Sequence, residues 1–162
     1  MHCSTCGALI DVAPFSEVAT CEHCGTTREL RLLEAGLDRV IWTEEDTGTP
    51  CPRCGEGLVR AQLDGYTVGG CPECHGVLLA NSSFGAIVRR RRQNYRAAPF
   101  TPRPVDLDEL TDPVYCPGCE RTMGVHPYYG PGCQIIDSCG RCELVWIDSG
   151  ELTAIERAPG LR

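Results

Sequence analysis

Apolar residues along this chain fall in short runs broken by glycine, proline and cysteine, and the runs have strand length more often than helix length. Leu58-Val59-Arg60-Ala61-Gln62-Leu63 and Tyr66-Thr67-Val68 flank Asp64-Gly65, a dipeptide that accepts the positive φ of a tight hairpin turn. Val77-Leu78-Leu79 predicts a third strand behind that hairpin. Nearer the start, Ala8-Leu9-Ile10 and Val18-Ala19-Thr20 predict two short strands joined through residues 11–16, with Thr26 to Leu32 as a third. Toward the end, the bend Tyr128-Tyr129-Gly130-Pro131-Gly132 leads into Cys133-Gln134-Ile135-Ile136-Asp137.

Helical spacing is rarer. Asn81 or Ser82 can cap a helix running through Phe84, Ala86, Ile87 and Val88 into Arg89-Arg90-Arg91-Arg92. Asp148 with Glu151 three residues on makes a capping box, with Leu152, Ile155 and Trp146 as the apolar side and Pro159-Gly160 as the stop. Leu30 to Trp42 fits both periods and predicts a strand turning into a short helix or loop around Gly36. Glu44 to Pro50 is acidic and turn-rich, and Arg96 to Pro104 is proline-rich; both predict linkers, and Asp106 to Leu110 an acidic turn or short helix.

The cysteines change this picture most. Six Cys-x-x-Cys pairs form three sets of four: Cys3, Cys6, Cys21 and Cys24; Cys51, Cys54, Cys71 and Cys74; Cys116, Cys119, Cys139 and Cys142. The spacers between pairs are 14, 16 and 19 residues, long enough for a hairpin in each case. Two such pairs supply the four thiolates of a tetrahedral zinc site. Rubredoxin-type iron uses the same donors, so ligand identity alone leaves iron open. The pattern predicts a small, metal-stabilised, mainly β protein of three tandem zinc ribbons, with short helices after the second and third. The expected divisions are ribbon 1 at 1–35, a linker at 36–49, ribbon 2 with its Arg-rich helix at 50–95, a linker at 96–113 and ribbon 3 at 114–158. Repeats this short cannot bury a self-sufficient core, and three Zn²⁺ would be the staples.

The same count of 13 cysteines could describe a secreted disulfide scaffold. An odd total, the repeated pair spacing and the absence of an apolar signal segment before Cys3 argue instead for a reducing cytoplasm. No apolar run approaches the roughly 20 residues that span a bilayer, so no membrane association is expected. Formal net charge is −7, and each loaded tetrathiolate site would add about −2, which disfavours general polyanion binding. The cations are all arginine, and Cys74 to Val105 holds six of them (Arg89, Arg90, Arg91, Arg92, Arg96 and Arg103) with no carboxylate. They are a candidate contact for nucleic-acid phosphate or an acidic partner, with Tyr95 or Phe100 for stacking. They could equally be a solvated helix end, or be received by the acidic ribbons on either side. His2, His23, His75 and His126 lie near the ligand pairs as peripheral residues, and Cys133 is the odd thiol, read as a small apolar residue of the hairpin.

Cys116-Pro117-Gly118-Cys119, the closing pair Cys139 and Cys142, and the tail Trp146, Asp148, Gly150, Glu151 and Leu152 resemble the bacterial form of the zinc-ribbon family named for transcription factor IIB. Residues 51–87 keep its cysteines and layout, but Leu78, Ala80, Ser82, Ser83 and Phe84 stand where that family has Trp, Asp, Gly, Glu and Leu. The resemblance implies a ribbon fold and a link to transcription. No acid-base or nucleophilic constellation, phosphate loop or cofactor fingerprint is present. The chain is therefore read as non-enzymatic, a protein-interaction or regulatory module presenting hairpin edges and the Trp146 helix to a protein partner. The alternatives are a nucleic-acid-binding regulator using residues 89–103 and a thiol redox sensor.

Overall fold

A computed structural model describes residues 3, 5–10, 18–29, 38–96, 110–128 and 134–158. The expectations for residues 30–37, the linker residues 97–109, His2, Arg103, Cys133 and Pro159-Gly160 lie outside them. Among the described residues the protein is mainly antiparallel β, with two helices and three four-cysteine clusters consistent with tandem zinc ribbons.

Ribbon 1 is a small sheet of two strands, β1 (Val18–Thr20) and β2 (Thr27–Glu29), paired antiparallel. Among the described residues its buried cluster is Cys3, Ile10 and Cys21, with Ala8 against them.

Ribbons 2 and 3 merge into one seven-stranded sheet. Its strands are β3 (Ile41–Pro50), β4 (Gly57–Leu63), β5 (Tyr66–Gly70), β6 (Val77–Ala80), β7 (Gly124–Tyr128), β8 (Gln134–Cys139) and β9 (Leu144–Ile147), in the order β3-β4-β5-β6-β9-β8-β7. The β4–β5 hairpin turns on Asp64 and Gly65 with φ of 52° and 86°, the two left-handed positions the dipeptide suggested.

The segment expected as an acidic linker is instead the edge strand β3, pairing with β4. Its turn-like residues make irregularities within a strand: register shifts fall between Trp42 and Asp46 and between Asp46 and Pro50. The Asp46 carboxylate accepts from Gly48 N at 2.8 Å, while the Thr43 and Thr47 hydroxyls donate to the Arg60 and Leu58 carbonyls at 2.6 and 2.8 Å. Bulges and acidic side chains are common on exposed sheet edges, where they discourage further strand addition.

The join is made by β6 and β9, which pair Val77 with Ile147, Leu78 with Trp146 and Leu79 with Val145. Counted from the closing cysteine, Leu78 and Trp146 are equivalent positions in their ribbons, so a local pseudo-twofold axis passes between them. Helix α1 (Asn81–Asn94) follows β6 and α2 (Glu151–Arg157) follows β9, and the two helices pack together. Alternation along the strands then makes two cores. Val77, Leu79, Val145 and Ile147 meet Phe84, Ile87, Leu152 and Ile155 on the helix side. Leu78, Trp146, Leu58, Val114 and Met123 pack with the cysteines on the metal side. Strands covered on both faces read as continuous apolar runs, as Val77-Leu78-Leu79 does.

The helix starts differ from expectation. Neither Asn81 nor Ser82 is the N-cap of α1; Ala80 holds that position, and the Asn81 amide donates to the Glu143 carbonyl of ribbon 3 at 2.8 Å. In α2 half of the capping box forms, Asp148 N donating to Glu151 Oε2 at 2.8 Å, but the residue at the N-cap is Gly150 with φ 91°. Two amides there, Gly150 N and Thr153 N, donate to the buried Asp38 carboxylate at 2.6 and 2.7 Å. A residue over a hundred positions upstream thus satisfies the helix end.

Candidate metal centres and the seam between them

Each metal group is built from two knuckles, tight turns that bring a pair of sulfurs to one point. In five of the six, the amide after the second cysteine donates to the carbonyl of the first, as in Gly7 N to Cys3 O at 2.8 Å and Glu120 N to Cys116 O at 2.7 Å. The residue after the second cysteine is left-handed in all six: Gly7, Gly25, Gly55, His75, Glu120 and Glu143. Arg53 N, Cys74 N and Cys142 N donate to Cys51, Cys71 and Cys139 Sγ at 3.4, 3.5 and 3.4 Å, bonds that stabilise thiolate charge.

In each set of four, all sulfurs lie within 4.8 Å of one another. Cross-pair Sγ···Sγ distances are 3.6 Å for Cys3–Cys24, 3.4 Å for Cys54–Cys71 and 3.7 Å for Cys119–Cys139. Four sulfurs about 2.3 Å from a central zinc would be separated by roughly 3.8 Å, so the donor set fits, and the sulfurs are too far apart for disulfides. Proton affinities within a group are split. Amide hydrogen bonding from Cys142 lowers Cys139 to about 7, whereas the neighbouring Cys119 sulfur and burial push Cys142 up to about 12. Four sulfurs this close need a cation to be thiolates together. The three groups are compatible with three structural zinc ions, held by Cys3, Cys6, Cys21 and Cys24; by Cys51, Cys54, Cys71 and Cys74; and by Cys116, Cys119, Cys139 and Cys142. His23, His75 and His126 belong to none of them; the His75 ring lies edge-on to Trp42, with centroids 6.0 Å apart.

Between the groups of ribbons 2 and 3 runs a polar seam that sequence reasoning missed. Arg53, inside the first knuckle of ribbon 2, donates to both Asp148 oxygens at 3.3 and 2.6 Å and to Asp112 at 2.7 Å. Asp148 also accepts the Trp146 indole N–H at 2.8 Å. Its side chain is thereby committed to joining the ribbons, which is why it does not cap α2. Buried Asp137 lies 3.5 Å from Arg53; burial raises its pKa to about 6 against the pull of that guanidinium. Trp146 is fully buried, so its indole is part of the core and not of the surface of the tail. The indole fills the space over Gly76, where a Cβ would come within 2.1 Å of it.

The candidate basic contact is partly dismantled. Arg91 and Arg92 are buried. Arg91 pairs with Asp64 and donates to the Asp38 carbonyl at 2.7 Å, and Arg92 donates to the Ile155 and Ala158 carbonyls at 2.7 and 3.0 Å, closing the end of α2. Arg90 bonds the Asp64 carbonyl and lies over the Tyr66 ring while remaining half exposed. Arg89 and Arg96 are exposed, Arg96 donating to the Gln93 carbonyl at 2.7 Å. The arginines are therefore largely the internal partners of acidic residues and helix ends. Only the alternation of charge along the chain hinted at that use.

Among the described residues no helix is long and apolar enough to cross a membrane. The model of the transcription factor zinc-finger family matches residues 50–90, which are ribbon 2, the ribbon whose tail departs from the family pattern. No curated protein and no solved structure matches the chain. Over residues 50–90 this chain is similar to the transcription factor zinc-finger family, and further four-cysteine clusters stand upstream and downstream of that ribbon.

Proposed function

We propose that this chain is a non-enzymatic protein-interaction module, active in or beside transcription, in which metal binding fixes a rigid surface for a protein partner. The observation that supports it most is the union of two ribbons in one sheet whose metal groups are each closed by four sulfurs. A catalytic zinc keeps one position for water or substrate, and a fourth cysteine takes that position away. The link to transcription rests on the family matched at residues 50–90.

Nucleic-acid binding through Arg89, Arg90 and Arg96 is the competing reading, weakened by the internal use of Arg91 and Arg92. A thiol redox role has one observation in its favour: Cys6 and Cys24 are exposed, and hydrogen bonding to Thr26 lowers Cys24 to about 6.

Affinity capture from native cells with the zinc-loaded chain, repeated after chelation, tests the proposal. The expected result is a protein partner retained only by the loaded form. Salt-sensitive binding of a random oligonucleotide, abolished by Arg89→Ala with Arg90→Ala and Arg96→Ala, would overturn it in favour of nucleic acid. Reversible zinc release by mild peroxide that switches capture off would favour the redox role.

A further inference from the structure

We propose that the groove between the opening knuckles of ribbons 2 and 3 docks an extended, arginine- or lysine-bearing segment of a protein partner, an inference that rests on the interaction-module reading and gives it a surface. Pro50 and Tyr115 each stand just before the first cysteine of their ribbon, and Pro52 and Pro117 just after it. Joining the ribbons brings these equivalent positions to the walls of one groove of about 300 Å³, with Glu120 at its side. Tyr115 is 55% exposed, one of three large apolar side chains left open to solvent among the described residues.

The chemistry of the walls selects the occupant. Three of the lining residues are prolines and have no N–H. The amides of Cys51, Cys116 and Glu120 are already used, donating to Glu56 O at 2.6 Å, Arg121 O at 2.8 Å and Cys116 O at 2.7 Å. Apart from the Tyr115 hydroxyl, the groove therefore offers acceptors and few donors. It is also negative. Glu120 lines it, no arginine does, and Cys51 and Cys116 belong to centres that each carry about −2 when they hold a divalent ion. Arg53, next to Pro52, is turned to Asp148 and Asp112 and does not offset that charge in the groove. A guanidinium or ammonium group brings donors only, its methylene stem suits proline walls, and the open Tyr115 ring can take the cation on its face. A phosphodiester backbone would meet like charge.

The test is fluorescence anisotropy on the zinc-loaded full chain, with a labelled peptide of alternating arginine and alanine and its glutamate counterpart. The arginine peptide should bind and the glutamate peptide should not. Tyr115→Ala and Glu120→Gln should each weaken binding about fivefold, whereas Tyr115→Phe keeps the ring and should retain it. Glu45→Gln removes an equal charge on β3, outside the groove, and should change little. Zinc content measured on every variant separates lost docking from lost fold. Equal binding by Tyr115→Ala and the parent, or equal loss in Glu45→Gln and Glu120→Gln, would overturn the groove while leaving the module reading intact. Failure to capture any protein partner would sink that broader reading independently of the peptide result.

Discussion

Ribbons 2 and 3 have the same plan, and residues at the same position in the two have opposite character. Ribbon 3 places Trp146 at the pseudo-axis and Asp148 two residues on; ribbon 2 has Leu78 and Ala80 there. The knuckles compensate. Ribbon 2 offers Gly76 beneath the indole and Arg53 toward the carboxylate, where ribbon 3 has Leu144 and Gly118. Each residue of one half fits the deficit of the other. The missing tail of ribbon 2 is therefore one side of an asymmetric joint, and a second tryptophan opposite Trp146 would have no glycine to lie on. Among the described residues, ribbon 1 pairs its two strands only with each other, in a separate sheet with its own buried cluster.

The largest effect should come from the metal. Structural zinc contributes on the order of 10 kcal/mol or more per site in small domains. Because ribbons 2 and 3 share a sheet, Cys54→Ser or Cys119→Ser should lower one common thermal transition, whereas Cys6→Ser should leave it in place. Circular dichroism melts with metal analysis would show this, and separate transitions for ribbons 2 and 3 would break the comparison.

Gly76→Ala should cost about 3 kcal/mol by overpacking the indole, and Trp146→Leu in the same chain should restore part of the loss. Denaturant unfolding of the single and double variants measures that coupling; purely additive losses would contradict the large-to-small fit. Asp148→Asn should cost about 1–2 kcal/mol, since it weakens a charge-assisted pair with Arg53 that solvent partly screens. Ala80→Ser, at the equivalent position of ribbon 2, should instead stabilise by about 1 kcal/mol, because Ala80 is the N-cap of α1 and a hydroxyl there can accept from a first-turn amide.

The smallest effect concerns Asp137. Its carboxyl is raised by burial to about 6, so the fold retains a proton there that the unfolded chain releases near pH 4. Stability from that proton is present below about pH 4 and is lost as pH rises through about 6. Asp137→Asn should remove this part of the slope between pH 5 and 7 and raise stability at pH 7 by about 1 kcal/mol, read from denaturant midpoints at fixed free zinc.

How far the sequence reached can be followed residue by residue. Asp64-Gly65 announced a hairpin because its φ demands are local, and the six cysteine pairs announced knuckles because each closes over a few residues. Glu44 to Pro50 misled because residues that make turns also make bulges, and only the neighbouring β4 decides which. For Arg91 and Arg92 the sequence left surface and internal uses open because nothing nearby in sequence named their acceptors, which come from the Asp64 turn, Asp38 and the end of α2.

By itself, then, the sequence determined what depends on short-range geometry: three sulfur quartets, the hairpins of ribbons 2 and 3, the β6 run and the two helices. The tertiary structure alone decided that β6 meets β9, that Trp146 is buried over Gly76, that Arg53 holds Asp148 and that Asp38 caps α2. The physical reason is that pairing partners, burial and charge neutralisation are properties of two segments at once. A pattern read along one segment carries no information about which other segment will face it.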